Sequence, residues 1–191
     1  MTATPPQAAV VKLGGGLLEV PGAFDAAIAS IARAARVRPL VVVPGGGPFA
    51  DAVRSYQQGH PLSRTAAHWM AIAGMDQYAM AIADRLEGGA VVCDPAEVSA
   101  TIEAGRIPVL APSRWMQAVD VLPHSWDATS DSVAAFVAGA LDAGCLVLLK
   151  PVPGTPDALA DPGFRAVLPA GLRTLVLGPA ELDRLVEVVA N

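Results

Sequence analysis

The sequence predicts a three-layer αβα sandwich with a mostly parallel, open sheet. Short apolar runs alternate along the chain with segments of helical periodicity. The apolar runs lack polar alternation, as expected for parallel strands that are covered on both faces. Two of these runs lead into triple glycines followed by helical segments. This strand–turn–helix order is typical of parallel α/β domains.

The first half of the chain contains two strand–glycine–helix units and one long helix. Phe24, Ile28 and Ile31 recur at helical spacing, and Pro21 suits a first helical turn. Residues 1–7 are expected to form a frayed tail. The predicted elements are a strand over 8–13, a turn over 14–16, a helix over 21–36, a strand over 39–43, a turn over 45–47, and helices over 48–58 and 63–86.

The second half continues the alternation and ends in a loop-rich stretch, a strand and a helix. Gly88 and Gly89 are expected to end the long helix, because glycine interrupts helical runs. The predicted elements are a strand over 90–93, a helix over 95–104, a strand over 107–110, a loop over 112–121 with one helical turn at most, a helix over 130–143, a strand over 145–149, loops over 151–171, a strand over 173–177 and a helix over 179–189.

Composition limits the class of protein. The 191 residues suit one domain, and 53% hydrophobic against 16% charged residues argue against disorder. No apolar run approaches the roughly 18 residues of a membrane-spanning helix, and the N-terminus does not resemble a signal peptide. Cys93 and Cys145 lie in apolar runs and are expected to be reduced and buried. We therefore expect a cytoplasmic protein that has no membrane partner. Its net charge of −5 also argues against a nucleic-acid partner.

Lys12 and Lys150 are the only lysines among thirteen basic residues, and each ends an apolar strand. Lysine binds phosphate as a compact point charge, whereas arginine presents a planar fork. In an open α/β sheet, ligands bind beyond the carboxyl ends of the strands. These lysines therefore indicate a phosphoryl-transfer site. The alternative for each is an exposed surface lysine.

The triple glycines Gly14–Gly16 and Gly45–Gly47 are candidate phosphate loops. Glycine permits close backbone approach, and a following helix N-terminus offers free N–H groups to an anion. The alternative is that both are only tight turns. No P-loop is present, and Glu19 replaces the third glycine of a dinucleotide-binding fingerprint.

Polar residues gather where the helix over 130–143 begins. Asp127, Thr129 and Ser130 are each able to cap it, and Asp131 falls in its first turn. Asp131 is thus available to orient a lysine or hold Mg²⁺, or it only complements the helix dipole. On the long helix, Arg64 is either an anion clamp or a solvated side chain. The histidines have no metal-ligand spacing, and we predict no protein metal site and no well-placed catalytic histidine.

Taken in order, several motifs resemble those of the amino acid kinase superfamily, which includes acetylglutamate, aspartate, carbamate and uridylate kinases. They are the strand with Lys12 before its glycines, the run VVVPGGG, the helix start SDSVAA and the apolar strand that follows. The resemblance implies an amino acid kinase-like domain over 1–191, with the acceptor over about 8–87 and ATP over about 88–191. ATP and Mg²⁺ are the implied cofactors.

The resemblance also implies roles for particular residues. Lys12 would stabilise the transferred phosphoryl group, Asp131 would organise the lysines, and Lys150 would be the second catalytic lysine. Phosphate and ATP contacts are implied for Gly14, Gly15, Gly16, Gly45, Gly46, Lys150 and Gly154. Acceptor contacts are implied for Gly46, Gly47, Arg64 and Asp127.

The runs HWMAIAGMDQY and SWDATSDS, together with the short chain, most resemble the small kinases of methanofuran-type cofactor biosynthesis. That resemblance implies an aminomethylfuran methyl phosphate as acceptor. A carboxylate or nucleotide kinase is the alternative enzyme. A non-catalytic nucleotide- or oxyanion-binding protein, or a structural subunit, also stays open, since the loop KPVPG lacks the acid found there in many members. A homo-oligomer is expected.

Overall fold

The computed structural model describes residues 7–191, so the expected tail over 1–7 lies outside it except for Gln7. The strands are β1 (Ala9–Leu13), β2 (Leu40–Pro44), β3 (Gly89–Val92), β4 (Ile107–Leu110), β5 (Cys145–Leu149) and β6 (Thr174–Leu177). They form one parallel sheet in the order β3-β4-β2-β1-β5-β6. Helices pack on both faces, which confirms the predicted three-layer αβα class.

Nine α-helices are described within residues 7–191. They are α1 (Ala23–Ala35), α2 (Gly47–Gly59), α3 (Arg64–Arg85), α4 (Pro95–Glu103), α5 (Ser113–Val119), α6 (Ser130–Ala140), α7 (Pro156–Leu159), α8 (Phe164–Val167) and α9 (Leu185–Ala190). Two 3-10 helices cover Gly15–Glu19 and Pro179–Arg184.

The central strand β1 determines which way Lys12 points. Successive side chains of a strand face opposite sides of the sheet. Val11 and Leu13 pack into the core that contains α1 and α9, whereas Val10 packs with α6 on the other face. Lys12 is two residues from Val10 and therefore projects towards α6.

The described structure differs from the sequence prediction mainly in loops. The segment expected as a loop contains the seven-residue helix α5, whose Trp115 and Met116 are buried. A side chain from a distant helix stabilises its start, because Asp76 Oδ1 accepts a hydrogen bond from the Ser113 amide at 3.0 Å. Such a long-range cap leaves no signal in the local sequence.

Four further differences concern helix type and length. The stretch expected as loops over 151–171 contains α7 and α8, and α6 ends at Ala140 rather than Ala143. The first glycine turn opens directly into the 3-10 helix Gly15–Glu19. The expected helix over 179–189 begins as a 3-10 helix and becomes α9 only at Leu185.

Candidate active site

Lys12 and Lys150 meet at one carboxylate beyond the carboxyl edge of the sheet. β1 and β5 are paired neighbours whose last residues are opposite each other, so the residue that follows β5 lies close to the end of β1. The Lys12 Nζ is 2.9 Å from Asp131 Oδ1, and the Lys150 Nζ is 2.5 Å from Asp131 Oδ2. Lys150 also donates to the Leu159 carbonyl at 3.0 Å.

This cluster is buried and locally rich in positive charge. Lys12 is 4% exposed and Asp131 is 3% exposed. Burial lowers the pKa of Lys12; Asp131 opposes this effect and Lys150 adds to it. Burial raises the pKa of Asp131, but the two ammonium groups outweigh it and hold that pKa below its usual range. Two cations in contact with one carboxylate favour the arrival of an anion.

The Lys12 ammonium is not fully engaged by its partner. Its distance from Asp131 suits an ion pair, but Asp131 Oδ1 accepts no aligned hydrogen bond within the described chain. Lys12 Nζ also lies 3.5 Å from the point where a Cβ on Gly14 would stand. The ammonium is therefore beside the first glycine loop with donor capacity to spare.

The cap of α6 comes from a residue that the sequence analysis did not single out. Asp161 accepts hydrogen bonds from the Thr129 amide at 2.9 Å, the Thr129 hydroxyl at 2.8 Å and the Ser132 amide at 3.0 Å. Its own amide donates to Asp131 Oδ2 at 3.2 Å. Asp161 therefore connects the loop after β5 to the helix that carries Asp131.

The expected local caps of α6 are wrong. Thr129 occupies the N-cap position but makes no side-chain capping bond there, and Asp127 forms its hydrogen bonds with Ser125. Asp161 takes over this function from a position that follows α6 in the chain. The only sequence signal was an Asp-Pro pair in a loop-rich stretch, which does not reveal its partner.

The two glycine loops pack backbone against backbone. A Cβ on Gly15 would lie 2.5 Å from Gly47 Cα, and a Cβ on Gly14 would lie 2.6 Å from the Leu149 carbonyl oxygen. Gly47 also has a φ of +54°, which disfavours side chains. Close packing thus explains the glycines on its own, as the tight-turn alternative proposed.

Two of the six glycines expected to contact phosphate or ATP use their amides in strand-end hydrogen bonds. The Gly14 amide donates to Leu149 O at 3.0 Å, and the Gly45 amide donates to Leu13 O at 2.7 Å. Phosphate binding by these two residues stays a prediction, and their amides are less available for it than the other amides of the loops.

Other amides of the loops stay available. A helix leaves its first N–H groups without intrahelical partners. Gly15 and Gly16 begin the 3-10 helix, and Gly46 and Gly47 begin α2. Within residues 7–191 these four amides donate to no loop or turn carbonyl. They are the backbone donors that the site can offer to an anion.

A cavity of about 490 Å³ opens beside these amides. Five elements contribute to its wall: the two glycine loops, α2, α3 and the segment that leads into α6. The sequence-predicted residues that line it are Gly15, Gly16, Gly46, Gly47, Arg64 and Asp127. The predicted acceptor-binding residues are thus brought together, and their role stays a prediction.

The other predicted site residues lie outside this cavity lining. Lys12, Asp131 and Lys150 form the buried cluster next to it. Gly154 is not part of either group and packs against Leu159, whose Cδ1 would lie 2.6 Å from an added Cβ. The segment before α6 falls in the predicted nucleotide half yet lines the cavity, so the wall draws on both predicted halves.

One wall of the cavity is held by contacts between α2 and the segment before α6. Trp126 Nε1 donates to Gln57 Oε1 at 2.9 Å. The Arg54 guanidinium lies 4.4 Å from the Trp126 ring centroid and forms an ion pair with Asp51 at 2.7 Å. Arg54 and Asp51 therefore compensate each other, whereas Arg64 and Asp127 form no ion pair with another residue of 7–191.

The structure brings a histidine to the cavity that the sequence analysis did not assign to the site. His68 lines it and is 7% exposed. His68 stacks on His124 with a centroid separation of 4.4 Å. These two histidines are far apart in sequence, and only the fold shows that they are neighbours.

Within residues 7–191 no group of three or more His, Cys, Asp or Glu side chains is arranged to hold a metal ion. In the same range no helix is both long and apolar enough to cross a bilayer.

The fold and site together define a class of protein. Buried ammonium groups beside free backbone amides favour a phosphoryl group, which carries several anionic oxygens. Their place at the carboxyl edge of a parallel sheet is the usual ligand position in such folds. A phosphotransferase acting on a small molecule is the class that these features indicate.

Comparisons with known proteins identify the family. The family model described as "Amino acid kinase family" matches residues 7–158. The chain therefore belongs to the amino acid kinase family, and it is a phosphotransferase. It is 30% identical over 149 residues to [5-(aminomethyl)furan-3-yl]methyl phosphate kinase of Methanocaldococcus jannaschii, which covers 78% of this chain and 68% of that one.

Solved structures of kinases share the fold. Uridylate kinase of Archaeoglobus fulgidus has a TM-score of 0.68 at 18% identity and covers 94% of this chain and 95% of that one. UMP kinase of Bacillus anthracis has a TM-score of 0.66 at 14% identity, covering 97% and 93%. Aspartate kinase of Synechocystis has a TM-score of 0.64 at 18% identity, covering 90% of this chain and 38% of that one.

Proposed function

We propose that this protein transfers the γ-phosphoryl group of ATP to the phosphate of [5-(aminomethyl)furan-3-yl]methyl phosphate, forming the diphosphate and ADP. The observation that carries the proposal is the contact of two ammonium groups with one carboxylate beside free loop amides. The acceptor is taken from the named relative, at 30% identity over most of the chain.

The reaction would proceed by direct in-line displacement. An acceptor phosphate oxygen attacks the γ-phosphorus, the bond to the β,γ-bridging oxygen breaks, and ADP leaves with the bonding electrons. The attacking oxygen is already ionised, so no general base is required. Catalysis then consists of positioning and charge neutralisation.

The residues divide these tasks between them. Lys12, at the first glycine loop, would neutralise charge on the phosphoryl group as it moves. Lys150 would act on the ATP side, and Asp131 would hold both lysines in place. The free amides of Gly15 and Gly46 would bind phosphate oxygens from two sides.

Mg²⁺ would enter this site bound to the phosphates of ATP. Mg²⁺ commonly binds through substrate phosphates with few protein ligands, and it would neutralise charge on them. Both oxygens of Asp131 already face ammonium groups, and Asp161 is occupied by amides and hydroxyls of α6. This chain's own residues would therefore bind and orient the phosphates.

The acceptor cavity suits a small ligand with polar ends. Its volume of about 490 Å³ falls in the range of ordinary small-molecule sites. The loop amides line one part, whereas Arg64 and Asp127 bring one charge of each sign to the lining. A zwitterionic acceptor with a phosphate and an ammonium group matches this arrangement.

The experiment is an acceptor screen with the purified protein and Mg·ATP, read as ADP release. The panel contains the aminomethylfuran methyl phosphate, UMP, aspartate and N-acetylglutamate. Turnover with the furan compound at least tenfold above the others supports the proposal. Preference for UMP or for a carboxylate would assign another kinase reaction, and ATP binding without turnover would favour the non-catalytic alternative.

We also propose a homo-oligomer in the cytoplasm. Met80 and Val91 are 61% and 40% exposed, and exposed apolar side chains favour association. Cys93 and Cys145 are free thiols, half-buried and buried, as in a reducing compartment. Light scattering on the purified protein tests the homo-oligomer, and a monomer mass would contradict it. Cell fractionation tests the cytoplasmic location.

A further inference from the structure

The cavity contains a buried histidine whose hydrogen-bonding groups are unused. His68 is 7% exposed and lines the cavity. Within residues 7–191 no hydrogen bond joins either of its ring nitrogens to another protein group, whereas both ring nitrogens of the neighbouring His124 are hydrogen-bonded. Buried polar side chains in proteins are nearly always hydrogen-bonded. A ligand in the cavity is the natural partner for this ring.

The neighbours of His68 fix its ring without using its nitrogens. His124 stacks on it at 4.4 Å with an interplanar angle of 22°, and Trp69 packs edge-on at 4.7 Å. Both ring nitrogens of His124 are hydrogen-bonded, one to Thr65 at 3.0 Å and the other to Asp120 at 2.8 Å. His124 therefore supports the ring of His68, whose own nitrogens are free to bind a ligand.

His68 and the part of α3 that contacts the glycine loops lie at different levels of the same helix. Tyr78 lies against Gly47, and ten residues of α3, about 15 Å of helix rise, separate the backbones of Tyr78 and His68. A ligand with a phosphate at the loops would therefore carry its second polar group at some distance from that phosphate to meet His68.

The space between these two ends is lined by apolar side chains of α3. Ala71, Ile72 and Met75 line the cavity along the same helix. A flat, weakly polar ring would pack there, with its anionic arm at the loop amides. Its other arm would then reach the level of His68.

The protonation state of His68 determines which ligand group its ring would bind. Burial, followed by the neighbouring His124, lowers the pKa of His68, while Asp120 opposes the shift. A neutral imidazole carries one nitrogen that accepts a hydrogen bond. An ammonium group is a pure donor and therefore matches that nitrogen. Asp127 and Arg64 also line the cavity, and because both are exposed, solvent ions screen the attraction of the one and the repulsion of the other.

We infer that His68 is the acceptor-specificity residue and that it accepts a hydrogen bond from the primary ammonium group of the phosphoryl acceptor. This inference rests on the proposed function and adds to it the residue that distinguishes an aminomethyl acceptor from one without the amine. Removal of the ring nitrogens would leave the ammonium without its buried partner.

The test compares two acceptors, [5-(aminomethyl)furan-3-yl]methyl phosphate and furan-3-ylmethyl phosphate, by kcat/KM. The variant His68→Phe keeps a ring against His124 but removes both nitrogens. We expect it to lower kcat/KM for the aminomethyl acceptor about 10- to 100-fold and for the analogue less than about twofold. His68→Gln, which restores an acceptor oxygen, should recover part of the loss.

His60→Phe is the matched control, because His60 is exposed, stacks on Tyr56 and lies outside the cavity lining. His60→Phe should leave kcat/KM unchanged for both acceptors. An equal loss with both acceptors in His68→Phe, or no loss with the aminomethyl acceptor, would overturn the inference and leave the proposed function standing. If the wild-type protein phosphorylates neither compound, the proposed function fails, and the inference fails with it.

Discussion

The backbone amide of Asp161 donates a hydrogen bond to the carboxylate of Asp131 across a separation of thirty residues. The Asp161 side chain at the same time caps α6, the helix on which Asp131 lies. One residue thereby fixes both the helix start and the carboxylate that holds the two lysines. The loop after β5 is for this reason part of the site, although it does not line the cavity.

Replacing Asp161 should affect both stability and turnover. Asp161→Ala removes the cap, which costs about 0.5–2 kcal/mol, and releases the carboxylate of Asp131 from its orientation. We expect lower kcat with little change in KM for the acceptor. Asp161→Asn keeps one acceptor oxygen and should be intermediate. Asp157→Ala is the control, because Asp157 lies nearby in α7 and forms only an exposed ion pair with Arg165. Equal effects of the two substitutions would contradict the role of Asp161 in positioning Asp131.

Replacing Asp131 should destabilise the protein strongly. Asp131→Asn removes the paired charge of the buried Lys12 and of the half-buried Lys150, and breaking a buried pair typically costs about 3–5 kcal/mol. Urea unfolding measures this change, and added phosphate should recover part of the stability by binding the exposed cations. Asp183→Asn removes an exposed pair with Arg33 and should cost less than about 1 kcal/mol.

The close contact of the glycine loops makes Gly15 intolerant of a side chain. In Gly15→Ala the new Cβ would lie 2.5 Å from Gly47 Cα, so the loops must separate and their free amides lose alignment. We expect a lower melting temperature and a kcat reduced at least tenfold. Gly59→Ala is the control because nothing lies within 4 Å of its added Cβ. Normal activity of Gly15→Ala would show that the loop contact is unimportant.

Stability should depend on pH through His68. Its pKa is lowered from 6.5 in the folded protein, first by burial, so the unfolded chain binds the proton more readily. The stabilising contribution is therefore present above pH 6.5 and is lost as pH falls through the lower folded pKa. His68→Gln should lose less melting temperature than the wild type between pH 7.5 and 5.5. Parallel curves for the two proteins would contradict this assignment.

The strands, their ends and the two lysines at those ends were predictable because each is encoded locally. Apolar runs that end at Lys12 and Lys150 identify strands of a covered parallel sheet, and such strands align their carboxyl ends at one edge. The approach of both lysines to Asp131 follows from the pairing of β1 with β5. The sequence analysis did not predict that pairing, and it associated the lysines with Asp131 only through the family resemblance.

Contacts between distant segments were not predictable. The cap of α6 by Asp161, the cap of α5 by Asp76 and the stacking of His68 on His124 all join residues without a shared periodicity or motif. The use of the Gly14 and Gly45 amides in strand-end hydrogen bonds also depends on register. Local pattern gives the elements, whereas such contacts require the three-dimensional arrangement.

Lys12 is the residue on which the proposed chemistry depends most. Because its ammonium would act on the phosphoryl group in transit, Lys12→Ala should lower kcat about 100- to 1,000-fold. KM should change little, since the contact is made chiefly in the transition state. Steady-state kinetics with varied ATP and acceptor measure both parameters, and near-normal kcat in the variant would exclude this role.

The most direct test of the central claim is ³¹P NMR of the protein with Mg·ATP and [5-(aminomethyl)furan-3-yl]methyl phosphate, recorded beside Lys12→Ala. The account predicts a new pair of diphosphate resonances and ADP with the wild-type protein, and neither within the same time with the variant. Unchanged ATP and acceptor resonances with the wild type, or equal product with both proteins, would contradict it.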